Sequence, residues 1–173
     1  MKNLRKIVNQ AHKALDEAGI EHALIGGLAL GHHGVHRTTK DVDFLVDGTD
    51  KNNIKQVLQA CGFELDRETQ EVLHFRGEVN LDLLLANRTP TKAMLKRASL
   101  MKELNIMCLS AEDIIGLKIQ AYVNNPKRVL QDKADILAIM QKNANLKWEQ
   151  IKTHADLFNE WPAIESLRKD YDL

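Results

Sequence analysis

Between Leu24 and Val46, a double glycine and an Asp-x-Asp pair constrain this chain more than any other feature. Gly26-Gly27 follows the short apolar segment His22-Ala-Leu-Ile25 and precedes a stretch that reads as helix; Asp41-Val-Asp43 then opens the apolar run Phe44-Leu-Val46. This order predicts a strand, a glycine turn, a helix and a second strand folded as one compact unit. Without Cβ atoms, Gly26 and Gly27 let backbone N–H groups approach an anion, and a following helix N-terminus adds a favourable dipole. On a strand, alternate residues share a face, so Asp41 and Asp43 project from the same side. Two carboxylates that close repel each other unless a cation lies between them. Mg²⁺, which takes a few carboxylates together with substrate phosphate oxygens, fits that demand.

The rest of the chain divides by pattern. Leu4, Ile7, Val8, Ala11, Ala14 and Leu15 recur at helical spacing up to Gly19, and Ile54, Val57, Leu58 and Cys61 mark a second helix ended by Gly62. Glu71–Arg76 and Val79–Ala86 read as strands around Gly77-Glu78, which predicts an antiparallel hairpin with a two-residue turn. A short helix is expected from Thr89-Pro90, and Asn105–Leu109 reads as a final edge strand. From Ser110 onward the pattern is helical. Ser110-Ala-Glu-Asp113 resembles a capping box, Asn124-Asn-Pro126 breaks the first helix, a second spans about residues 127–143, and Trp148–Phe158 begins a third.

Size and charge narrow the classes. A chain of 173 residues suits one domain, or one small domain with a helical extension. Lys plus Arg and Asp plus Glu are both 24, so no global basic field draws in nucleic acid, which argues against a non-catalytic nucleic-acid-binding domain. Cys61 and Cys108 sit among apolar neighbours and read as buried, reduced thiols. The charged start, Met1-Lys-Asn-Leu-Arg-Lys-Ile7, has no long apolar segment, and no run is long enough for a membrane helix, so the expected setting is the cytoplasm.

Gly26-Gly27, Ala29, His33-Gly34, Arg37-x-Thr39 and Asp41-x-Asp43 together resemble the signature of minimal nucleotidyltransferases of the DNA polymerase β superfamily. The resemblance is strongest to the bacterial branch of AbiEii-like toxins and antitoxin-associated proteins. It implies an α+β fold, with a polymerase-β-like catalytic core over residues 1–109 built as a short mixed sheet flanked by helices. A small C-terminal helical region, residues 110–173, is expected to pack on that core. The family carries a third carboxylate on a later strand, which falls here on Asp82 within Val79-Asn-Leu-Asp-Leu-Leu-Leu-Ala86. The implied activity is metal-dependent transfer of an NMP from an NTP to a hydroxyl on a protein, an RNA or a small molecule, with release of pyrophosphate. Asp41, Asp43 and Asp82 are then the catalytic and metal-binding residues, Mg²⁺ is the expected cofactor with Mn²⁺ as a substitute, and a toxin–antitoxin partner is implied. The alternative is a low-turnover nucleotide- or partner-binding protein of the same fold, such as a toxin–antitoxin component; the presence of all three carboxylates favours the enzyme.

The resemblance also assigns nucleotide binding to Gly26, Gly27, Lys118, Arg37, Thr39 and Asp132. Lys118 lies in an apolar helical stripe with Ile114, Ile115, Ala121 and Tyr122, where its stem either snorkels to solvent or reaches phosphates. Lys118, Arg128, Asp132 and Asp135 resemble the family's C-terminal Lys…Arg…Asp-x-x-Asp arrangement, although Gln131 stands where related chains often carry lysine. Arg128, Asp132 and Asp135 also fit a plain surface ion pair on one helix face. Arg37 and Thr39 either fix the loop before the Asp-x-Asp strand or touch a phosphate. His33 is expected to orient the turn, and His32, His33 and His36 lack the ligands of a zinc site. Trp148 and Trp161 are expected in the core, and Tyr122 is a candidate for stacking on a base.

Overall fold

Apolar spacing sets the first helix and a glycine ends it: α1 (Lys2–Glu17) buries Ile7, Val8, Ala11, Ala14 and Leu15, and Gly19 turns the chain away at φ +68°. The computed structural model describes residues 2–173, so Met1 of the charged start lies outside the described residues. After α1 come β1 (His22–Leu24), α2 (Gly26–His32), β2 (Asp41–Val46), α3 (Lys51–Ala60), β3 (Glu64–Glu68), β4 (Val72–Arg76), β5 (Asn80–Leu85), α4 (Thr89–Arg97), β6 (Ser99–Met101) and β7 (Ile106–Cys108). The helical part follows as α5 (Ala111–Asn124), a 3-10 turn at Pro126–Arg128, α6 (Val129–Lys142), α7 (Trp148–Asp156) and α8 (Trp161–Asp170). The described residues form two compact units, one of the chain up to Ala29 with Arg37–Leu109 and one of Leu30–His36 with Ser110–Leu173.

The first unit is built on a seven-stranded mixed sheet in the order β3-β4-β5-β2-β1-β7-β6. β2 and β5 run parallel at its middle, and β1 and β4 pair antiparallel with them on either side. One face carries Val42, Phe44, Val46, Leu73, Leu81 and Leu83, all fully buried, with α1 against β2. Alternation along β2, β4 and β5 therefore leaves the polar residues of these strands on the opposite face.

Three local features differ from the sequence reading. β3, Glu-Leu-Asp-Arg-Glu, lacks an apolar alternation and is not legible as a strand; it forms because an edge position lets charged side chains face water while the backbone pairs with β4. The β4–β5 hairpin is antiparallel as expected, but its loop holds residues 77–79 rather than two residues. The segment read as the edge strand is β7, which lies inside the sheet between β1 and β6, and the edge is β6.

His22 on β1 is 8 % exposed and stacks edge-on to Phe44. Its Nδ1 lies 2.7 Å from the Ile20 carbonyl, which can only accept, so Nδ1 carries the proton and Nε2 accepts from His12 Nδ1, also at 2.7 Å. Burial lowers the His22 pKa below its ordinary 6.5. The unfolded chain then takes up the proton first as pH falls, so this stabilisation is complete above about 6.5 and declines below it. The melting temperature is expected to drop between about pH 7.5 and pH 5, and His22→Asn to flatten that slope. An identical slope in the variant contradicts this role for His22.

In the second unit α5 packs against both α6 and α7. Ser110 caps α5 by accepting from the Asp113 N–H at 3.2 Å, while the Asp113 carboxylate lies 2.8 Å from His154 Nε2 and 2.9 Å from Gln150 Nε2. A Cβ on Gly116 would come within 2.7 Å of the His154 ring, so a glycine is what lets α7 approach α5. Tyr122 is buried, with its hydroxyl donating to Glu160 at 2.6 Å, and offers no open ring for a base. Trp148 and Trp161 are half-buried rather than core residues, each covered by a cation, Arg168 and Lys152 respectively. Cys108 is buried as expected, and burial pushes its thiol up to about 12; Cys61 is only half-buried.

Candidate active site

The glycine pair and the Asp-x-Asp strand meet because β1 and β2 are antiparallel neighbours. Leu24 stands opposite Phe44, and the Ile25 N–H donates to the Asp43 carbonyl at 3.0 Å, which delivers Gly26 to the side of Asp43. The glycines do not precede the helix as a separate turn: they are the first two residues of α2. Gly26 has φ +62°, and a Cβ there would overlap the Asp43 carboxylate. A Cβ on Gly27 would come within 2.6 Å of Thr39 Oγ1. Thr39 in turn donates to the Asp41 carbonyl at 3.1 Å and so fixes the entry to β2. Arg37 lies on the exposed segment before it, 3.4 Å from the Thr38 carbonyl.

The parallel register of β2 and β5 sets Asp43 directly opposite Asp82 and Asp41 opposite Asn80. The three carboxylates therefore share the polar face of adjacent strands, next to the glycines. They offer only hard oxygen donors, which suits Mg²⁺ or Mn²⁺. Among the described residues no three His, Cys, Asp or Glu groups are already gathered around one point. Asp41 Oδ1 instead accepts from Asn80 Nδ2 at 3.3 Å, and Asp82 Oδ1 lies 2.7 Å from His74 Nδ1. A cleft of about 290 Å³ opens over this face, lined in part by Asp41, Asp82, Asn80, His74, Arg67 and Arg76. His74 is not singled out by the sequence. Its signal lies in the pattern Val72-Leu-His-Phe-Arg76, where it is the polar residue on the face opposite Leu73 and Phe75.

Lys118 and Asp132 belong to the second unit and meet there. Lys118 is 6 % exposed and does not snorkel: its Nζ lies 2.8 Å from Asp132 Oδ1 and 2.6 Å from Asp135 Oδ2. Arg128 Nε donates to Asp132 Oδ2 at 2.9 Å. Burial raises the Asp132 pKa, but the hydrogen bonds and charges of Arg128 and Lys118 outweigh it and hold the carboxyl below its usual range. With Asp132 fully buried, this is an internal ion cluster and not the surface pair that spacing alone allows. Within the same unit the His33 carbonyl accepts from Asn143 Nδ2 at 3.2 Å, and Gly34 turns the chain at φ +81°.

Gly26→Ala is expected to cost about 1–3 kcal/mol, since the side chain is strained at positive φ and displaces Asp43. Gly31→Ala, inside α2 with no atom within 4 Å of its Cβ position, is the matched control and is expected to be neutral or stabilising. Thermal melting of both variants checks the contrast. Equal melting temperatures contradict the close packing of Gly26 on Asp43.

A mixed sheet with a glycine-started helix against an Asp-x-Asp strand and a carboxylate on the parallel neighbour defines a nucleotidyltransferase fold of the polymerase β-like superfamily. Residues 11–170 match the family described as "Nucleotidyl transferase AbiEii toxin, Type IV TA system", and the chain belongs to that family. No curated protein matches the sequence significantly. Among solved structures, the antibiotic-resistance factor ANT(2'')-Ia in solution is 15% identical with a TM-score of 0.70, covering 98% of both chains. An antigenic nucleotidyltransferase-like protein from Paracoccidioides brasiliensis is 19% identical with a TM-score of 0.61, over 98% of this chain and 93% of that one. The lincosamide antibiotic adenylyltransferase LnuA, bound to lincomycin, is 15% identical with a TM-score of 0.57, over 83% and 98%. At these identities the likeness is one of fold.

Proposed function

We propose that this protein transfers an NMP from an NTP to an acceptor hydroxyl, dependent on a divalent cation, as the toxin component of a toxin–antitoxin pair. The observation that carries the reading is the closure of Gly26 against Asp43, with Asp82 in register across β2 and β5. The triphosphate lies along the backbone N–H groups at Gly26 and Gly27, and residues 1–109, less the segment Leu30–His36 that belongs to the second unit, form the catalytic core. Asp41, Asp43 and Asp82 would hold Mg²⁺ or Mn²⁺, which supplies charge neutralisation for the polyphosphate and the leaving group. The acceptor oxygen attacks the α-phosphorus, the bond from that phosphorus to the bridging oxygen breaks, and pyrophosphate leaves with its electron pair. Asp82, in the cleft, takes the proton of the acceptor hydroxyl. No described helix is long and apolar enough to cross a membrane; the cytoplasm, where NTPs are abundant, is the setting proposed for the reaction.

Without a cation, three carboxylates on one face oppose a polyphosphate of the same sign. Calorimetric titration with ATP and with GTP is expected to show binding at least about tenfold tighter with Mg²⁺ than in EDTA. Equal affinity in the two conditions overturns the proposed site.

A further inference from the structure

Four side chains stand in one row across the polar face of the sheet. The registers place Arg67 opposite His74, His74 opposite Asp82, and Asp82 opposite Asp43. The first three are joined by short contacts: Arg67 Nη2 lies 3.0 Å from His74 Nε2, and His74 Nδ1 lies 2.7 Å from Asp82 Oδ1. The chemistry of the donors fixes the proton. A guanidinium can only donate, so His74 Nε2 must accept, and the ring proton sits on Nδ1, aimed at the carboxylate. A hydrogen bond to one oxygen of Asp82 holds its plane and directs the second oxygen elsewhere, a constraint that carboxylates bound to metal or to substrate commonly need from a neighbour.

We propose that His74, held as the Nδ1–H tautomer by Arg67, is a positioning residue that orients Asp82 towards the cation and the acceptor hydroxyl. The inference rests on the nucleotidyl-transfer reading of this face. Arg67 sits on β3, the charged edge strand, so the edge of the sheet contributes to the site through a two-step relay of hydrogen bonds. His74 itself touches neither the nucleotide nor the cation. Its loss acts on the step that Asp82 serves and leaves nucleotide capture at Gly26, Gly27 and Asp43 in place.

Three readouts on the full chain test this. Nitrogen-detected NMR of the imidazole reports the tautomer, titration of the apo protein with Mn²⁺ reports cation affinity, and steady-state transfer at saturating Mn²⁺ separates kcat from KM for the NTP. The wild type is expected to show the Nδ1–H tautomer. His74→Ala is expected to weaken Mn²⁺ binding and lower kcat by about 10–100-fold each, with KM changed by less than about threefold. His74→Asn, whose amide nitrogen lies near the Nδ1 position, restores both to within about threefold of wild type. In an Asp82→Asn background, His74→Ala adds no further loss. An Nε2–H ring, equal losses in His74→Asn and His74→Ala, or additive losses with Asp82→Asn overturn the proposal. If the wild type transfers no label at all, the transfer reading falls separately, and the tautomer with the Mn²⁺ titration still decides whether His74 orients Asp82.

Discussion

Asp43→Asn is expected to lower labelled-NMP transfer by more than about 100-fold while leaving the apo protein as stable as the parent or more so. The substitution keeps the shape of the side chain that packs against Gly26 and removes one negative charge opposite Asp82. Repulsion between the facing carboxylates falls, which favours the apo fold, and a hard-cation ligand is lost, which removes transfer. An aspartate that merely starts a strand predicts the opposite pair of results: activity within a few-fold of the parent and no gain in melting temperature. Measuring both quantities on the same preparation separates the accounts, because a misfolded variant would lose transfer and stability together.

The second large effect is structural. Lys118→Ala is expected to destabilise the protein by about 3–5 kcal/mol, the usual consequence of removing one partner from a buried ion cluster. Lysine in an apolar stripe suggests that truncation relieves a desolvation cost, but the geometry reverses that sign: the ammonium lies between Asp132 and Asp135, whose side chains are 0% and 7% exposed. Arg128 continues to hold Asp132 after the substitution, whereas Asp135 loses the ammonium 2.6 Å away. Lys118→Met is expected to lose nearly as much, and Lys118→Met with Asp135→Leu to recover a large part, since an apolar replacement leaves less buried charge uncompensated. Thermal or denaturant unfolding checks the series. An unchanged melting temperature together with lost nucleotide binding assigns Lys118 to the nucleotide and not to the fold.

The local pattern carried the Asp-x-Asp strand, most helices and the existence of the hairpin, because these depend on neighbours in sequence, whereas the glycine pair expected as a separate turn opens α2 itself. The pairing of β2 with β5 is non-local, and it is this pairing that turns Asp43 and Asp82 into facing residues. His74 shows how narrow the margin is. A two-residue turn at Gly77-Glu78 sets His74 opposite Leu81, whereas the observed loop of residues 77–79 sets it opposite Asp82. Shifting a register by one position changes the strand face that a residue meets, so one extra loop residue decides whether the imidazole reaches the carboxylate. The i, i+4 spacing of Arg128 and Asp132 is visible in sequence, but the Lys118 contact joins α5 to α6 and follows only from how the helices pack. Edge strand β3 escaped for a different reason: charged residues satisfy an exposed edge without leaving a periodic trace.

Transfer of a nucleoside monophosphate from an NTP under divalent-cation control is tested most directly by incubating the wild-type chain and Asp43→Asn with a cell extract, Mg²⁺ and an NTP labelled at either the α- or the γ-phosphate. The expected result is label from the α-position alone retained on the protein, RNA or small-molecule fraction, pyrophosphate released in step, and both signals lost in EDTA and in Asp43→Asn. Label retained from the γ-position, or α-label retained equally by the variant, contradicts the account.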